Sequence, residues 1–116
     1  MSNQTEKNFG LVFATICKLA YPDQIDASRL RVVGRKAAQA WKERSHQFDH
    51  NVENELIRLF RKVTPRTDHK KTVLVAKSLK GILHELERRG LEPLKTEDRC
   101  EKFLRKAAPR LTRKLV

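Results

Sequence analysis

Apolar residues return every three or four positions through five successive stretches of this chain, and no stretch of useful length alternates apolar with polar residues. That period belongs to α-helices that each turn one face to a core, and it leaves nothing from which to build a sheet. The first stretch, about Thr5 to Ala20, sets Phe9, Val12, Phe13, Ile16, Leu19 and Ala20 on one face. It ends at Tyr21-Pro22-Asp23, because proline disfavours helical continuation. The second follows Asp26, whose carboxylate suits an N-cap, and runs to about Arg44 with Leu30, Val33, Ala37, Ala40 and Trp41 inward. Gly34 is its weak point, since glycine is a poor helix former.

The third stretch, Asn51 to about Val63, groups Val52, Leu56, Leu59, Phe60 and Val63 before Thr64-Pro65 stops it. The fourth starts near Thr67 or Asp68 and carries Val73, Ala76, Leu79, Ile82, Leu83 and Leu86 as far as Gly90. Arg88 and Arg89 suit the negative end of its dipole, and Gly90 suits a left-handed cap. The fifth opens with Thr96-Glu97-Asp98, a capping hydroxyl followed by acids at the positive end of the dipole, and turns Cys100, Phe103, Leu104 and Ala107 inward. Pro109 closes it or starts another short turn, and residues 109–116 read as a basic tail.

A chain of 116 residues fits one domain, which buries roughly two-thirds of the surface that the unfolded chain exposes. The expected architecture is therefore all-α, a compact single-domain bundle of about five helices over residues 1–116. Cys17 and Cys100 are far apart, with no CxxC spacing and no paired Cys/His motif, and read as reduced, buried thiols. No apolar run approaches the roughly 20 residues that span a bilayer, because Lys18 cuts off Leu11 to Cys17. The same run is too weakly flanked for a signal peptide, so the expected location is the cytoplasm, with no membrane partner.

Twenty-six Lys and Arg against 14 Asp and Glu leave a formal charge of +12. So dense a positive charge points to a polyanionic partner, nucleic acid foremost. The basic residues are clustered: Arg29 to Arg44 holds six with one acid, Arg61 to Lys80 seven with one, and Arg99 to Val116 seven with one. At 100° per residue Arg31, Arg35 and Lys42 align on the second helix, Lys70, Lys77, His84 and Arg88 on the fourth, and Lys102, Arg105 and Lys106 on the fifth, each row away from the apolar stripe. Arg31 with Arg35, and Lys102 with Lys106, are like charges four apart, which destabilise a helix by a few tenths of a kcal/mol unless an anion neutralises them. Acids gather elsewhere, at Glu85, Glu87, Glu92, Glu97 and Asp98, as a second face suited to docking protein.

Catalytic chemistry is missing. The chain has no Gly-rich phosphate loop, no GxSxG, no HExxH and no acid/base pair in apolar surroundings, which argues against an enzyme and against a cofactor. His46 and His50 with Asp49 have a spacing that would clamp a metal only on a helix, and the segment reads instead as a link, so no metal is expected. Phe9, Phe13, Phe60, Phe103 and Trp41 fall on apolar stripes, leaving Tyr21 and Phe48 as the available surface rings. Contact with phosphates is then favoured over reading of bases.

One stretch, Val75-Ala76-Lys77-Ser78-Leu79-Lys80 followed by Glu85-Leu86-Glu87-Arg88-Arg89-Gly90-Leu91, resembles pieces of winged-helix transcription regulators. It covers under a fifth of the chain, the two pieces join without a turn, and no strand pair for a wing follows. Across Thr5 to Ala108 the size, the helical plan, the missing catalytic motifs and the basic rows resemble the small helical subunits of CRISPR effector complexes. That resemblance implies a subunit that packs beside other proteins and holds a nucleic-acid strand by its backbone without cutting it. The residues expected to touch phosphate are Arg31, Arg35, Lys42, Lys70, Lys77, Arg88, Lys102, Arg105 and Lys106. The rival expectations are a sequence-specific DNA-binding regulator and a basic helical module for an acidic partner protein.

Overall fold

Six helices follow one another through the described residues: α1 (Gln4–Ala20), α2 (Ala27–Glu43), α3 (His50–Val63), α4 (His69–Arg88), α5 (Glu97–Ala107) and α6 (Pro109–Leu115). The structure, a computed structural model, describes residues 4–21, 27–44, 50–63 and 69–115, and no strand occurs among them. The proposed caps at Asp26 and at Thr67 or Asp68, the His46-to-Asp49 segment with Phe48, and the side chains of His50, Val52, Phe60 and Val63 lie outside the described residues. The all-α bundle is as expected, and its radius of gyration of 12.7 Å is that of a compact domain of this length.

The first helix departs from its expected role. A one-faced amphipathic α1 should leave half its surface in water, yet Thr5, Asn8, Gly10, Ala14 and Thr15 are buried along with Phe9, Val12, Phe13, Ile16, Cys17 and Ala20. Leu19, placed on the apolar face from its spacing, is only half-buried. The helix lies inside the bundle, with α2, α4 and α5 packed around it. Its small residues make this possible, because they let neighbouring helices approach on the sides where a long polar side chain would need solvent. Tyr21, expected as a surface ring, is 8% exposed and belongs to the same core.

Gly34 is likewise no weak point. A Cβ there would stand 2.8 Å from both Gly10 Cα and Phe13 Cβ, and one on Gly10 would stand 2.9 Å from the Arg31 carbonyl oxygen. The two glycines are where α1 and α2 cross, so the poor helix propensity of Gly34 is offset by a backbone approach that any side chain would block. Two turns further along the same face of α2, buried Trp41 meets the His84 ring of α4 edge-on, with centroids 5.9 Å apart.

The end of α4 follows local chemistry. Gly90 takes φ 64° and its N–H donates to the Glu87 carbonyl at 3.1 Å. Leu91 also enters the left-handed region, at φ 67°, where a residue with a Cβ is disfavoured by about 1 kcal/mol. Tertiary structure holds it there. Buried Asn8 donates from Nδ2 to the Glu92 carbonyl at 2.8 Å, and its Oδ1 accepts from the Leu94 N–H at 3.1 Å. The α4–α5 connection is thereby pinned to α1 from above and below one side chain.

Thr96 caps α5 as expected, its hydroxyl accepting from the Arg99 N–H at 3.2 Å. Cys100, Phe103 and Leu104 are buried against the bundle. The expected basic tail is instead α6. Proline at its first position removes only an N–H that would have no helical partner, and Leu111 is completely buried, which docks the helix. Both cysteines are free and buried.

Candidate nucleic-acid interface

Each basic row sits on a helix whose opposite face is fastened into the core, so its side chains project from rigid backbone. The α2 row borders the seam with α1. The Cγ of Arg35 lies 3.2 Å from where a Gly10 Cβ would be, so its stem crosses the glycine contact. Arg31 and Arg35 are exposed, whereas Lys42 is half-buried and pairs with Glu6 of α1 at 3.3 Å. The outermost line of α2 carries Ser28, Val32, Gln39 and Glu43, with Val32 50% exposed. The expected row therefore faces a seam between helices and does not crown the helix.

On α4 the side chains of Lys70, Lys77, His84 and Arg88 are exposed, in line with their spacing. Lys77 has no ion pair among the described residues, while Arg88 holds Glu85 at 2.9 Å. On α5 Lys102, Arg105 and Lys106 are all exposed, and Lys106 Nζ lies 4.0 Å from the same Glu85 carboxylate. Glu85 thus joins the second row to the third. The first row stays with α1, although Arg31 is near enough to α5 to act with Arg89 in drawing the Cys100 thiol down, against the stronger upward push of burial.

Three of the five acids expected to form a separate docking face have basic neighbours. Glu85 is shared by Arg88 and Lys106, Glu92 pairs with Arg89 at 3.0 Å, and Glu97 pairs with Lys18 at 3.0 Å. Each is neutralised by a basic neighbour. Such exposed pairs contribute only about 0–1 kcal/mol, so an arriving phosphate can compete for the cation at little cost.

Two of the grooves among the described residues are lined by both cations and acids. The larger, about 490 Å³, runs between α2 and α3 and is lined by Lys36, Arg44 and Arg58 together with Glu43 and Glu55. Its charge is largely spent internally, since Arg58 grips both oxygens of Glu55 at 2.6 and 2.7 Å. The smaller, about 450 Å³, lies between the end of α4 and the outer face of α5 and is lined by Glu85, Arg89, Glu92, Arg99, Lys102, Phe103 and Lys106. Its cations outnumber its acids by four to two.

Arg89 and Arg99 were not among the residues expected to touch phosphate. For Arg99 a signal existed, because Arg99, Lys102 and Lys106 recur at helical spacing on one face of α5. Nothing comparable existed for Arg89, which reaches α5 only because the turn at Gly90 and Leu91 folds back. Its guanidinium carbon lies 5.3 Å from the centre of the Phe103 ring, a cation–π contact between elements.

The two pieces likened to a winged-helix unit lie on one uninterrupted helix, α4, and its end. No three His, Cys, Asp or Glu side chains come together as a metal site among the described residues, and no described helix is long and apolar enough to cross a membrane. Compared with known proteins, the chain matches no protein-family model, no curated protein and no solved structure.

Proposed function

We propose that this protein is a non-catalytic binder of the nucleic-acid backbone, largely indifferent to sequence, working in the cytoplasm as a small subunit of a larger ribonucleoprotein complex such as a CRISPR effector. One observation carries the reading. Arg31, Arg35, Lys77, Lys102 and Arg105 are exposed on rigid helices and have no ion pair among the described residues, in a chain with a formal charge of +12. Cations held apart from carboxylates repel one another until a polyanion screens them, and release of the polyanion's counterions then drives binding. Lys42, Lys70, Arg88 and Lys106 complete the rows, with Lys42, Arg88 and Lys106 exchanging a carboxylate for a phosphate. Few rings are available to read bases, so specificity would come from the assembly around it.

The test is binding of the purified protein to labelled single-stranded RNA, single-stranded DNA and duplex DNA across a salt series, beside an Arg31→Ala/Arg35→Ala variant. Five phosphate contacts give a log–log salt slope of about −3.5 to −4.5, and each contact removed makes it shallower by about 0.7 to 0.9. A slope near zero, or a variant that binds as the parent does, overturns the reading.

A further inference from the structure

The α4–α5 groove is built differently from the open basic rows. Arg89 leans over Phe103, which is buried, and bonds through Nη2 to Glu92. Its guanidinium therefore stands between the phenyl ring and the Glu92 carboxylate, at the wall of the groove that Arg89 lines. The backbone that carries it is fixed as well, since Asn8 ties the Glu92 carbonyl and the Leu94 N–H to α1. Around this plate Arg99 and Lys102 have no ion pair among the described residues, and Lys106 reaches only the shared Glu85 at 4.0 Å.

A planar cation beside several exposed cations matches the two parts of a nucleotide. An aromatic base stacks on a guanidinium plane, and phosphates are held by the surrounding ammonium and guanidinium groups. A volume of about 450 Å³ is that of a cleft for one small planar ligand. The bases of a duplex are stacked on one another and closed to such a plate, whereas those of a single strand are open. We propose that this groove takes an unpaired nucleotide of single-stranded nucleic acid, its base on Arg89 and its phosphates on Arg99, Lys102 and Lys106. The inference rests on the backbone-binding reading and adds strand type to it. Stacking tolerates every base, so indifference to sequence is kept.

The test uses twelve-residue oligouridylate and oligothymidylate, their abasic counterparts with the same number of phosphates, and a duplex of equal length. Three variants accompany the parent protein: Arg89→Lys, which keeps the charge and gives up the plane, Arg99→Ala/Lys102→Ala, and Arg31→Ala/Arg35→Ala. Circular dichroism checks that each is folded. The expected result is that at least one base-bearing strand binds at least about fivefold more tightly than its abasic counterpart. That advantage should vanish in Arg89→Lys, and Arg99→Ala/Lys102→Ala should weaken both strands while making the salt slope shallower by about 1.4. Should Arg89→Lys fail to fold, the double variant and the abasic comparison decide. Equal binding of base-bearing and abasic strands, or a double variant without effect, overturns the groove and leaves the backbone reading standing. Failure of every probe to bind overturns both.

Discussion

Replacing Gly34 by alanine sets two physical terms against each other, and the structure says which wins. Alanine is the better helix former by about 1 kcal/mol, so propensity alone has the variant more stable. The added methyl, however, would stand 2.8 Å from Gly10 Cα and from Phe13 Cβ, and 3.2 Å from the Phe9 carbonyl oxygen. Carbon atoms settle at about 3.5–4.0 Å, so the shortfall is about 1 Å against atoms close to or in the backbone of α1. No flexible side-chain end can swing aside. The helices must part, and overpacking of this kind costs about 1–3 kcal/mol. With rigid neighbours on both sides the upper half of that range applies, which leaves a net loss of about 1–2 kcal/mol after the propensity gain. Urea unfolding followed by circular dichroism should show the midpoint lowered by about 0.5–1 M with an unchanged slope. Gln39→Ala, exposed on the same helix, should stay within about 0.5 kcal/mol of the parent. A midpoint that rises in Gly34→Ala would refute the close crossing of α1 and α2.

Asn8→Ala removes the acceptor for the Leu94 N–H and the donor to the Glu92 carbonyl. It should cost about 2–4 kcal/mol and raise the hydrogen-exchange rate of the Leu94 amide above that of amides in α4. Thr96→Ala removes the cap on the Arg99 N–H and should cost about 1 kcal/mol in the same urea assay. Burial pushes the Cys17 and Cys100 thiols up, partly opposed at Cys100 by a hydrogen bond with Thr15. The unfolded chain then releases its thiol protons first, from about pH 8.5, so the native state binds more protons above that point. Stability should be full below about pH 8.5 and fall as pH rises beyond it, with a shallower fall in Cys17→Ala, and a urea midpoint flat between pH 7.5 and 9.5 would contradict this.

The parts of the fold that depend on a few neighbouring residues were legible in the sequence. The Thr96 cap, the Gly90 turn and the inward set of α5 all follow from chemistry within one or two turns of helix. What failed depended on residues far away. Asn8 and Thr15 sit at the polar edge of the α1 stripe, and become interior because the α4–α5 connection and α5 return over them. Gly34 looks like a flaw until Gly10 is placed opposite. The basic rows were found as exposed faces because an outward face is a local property. Their neutralising partners were only half visible: Glu85 with Arg88 is a pair three residues apart, while Glu6 with Lys42 and Glu85 with Lys106 join different helices. The Arg89 plate was hidden for the same reason, since Phe103 meets it only across a turn.

The enclosure of α1 also sets an order of events during synthesis. Of the six helices α1 is made before the rest, yet part of its cover comes from α5, and Asn8 waits 86 residues for the Leu94 N–H. At about 5–20 residues per second that wait is roughly 4–17 s. Helix α2 arrives early and can zip onto α1 through the two glycines, covering one flank. The other flank, which carries Asn8 and Thr15, stays open until α5 emerges. A chain halted before α5 would present that flank to chaperones or to other nascent chains.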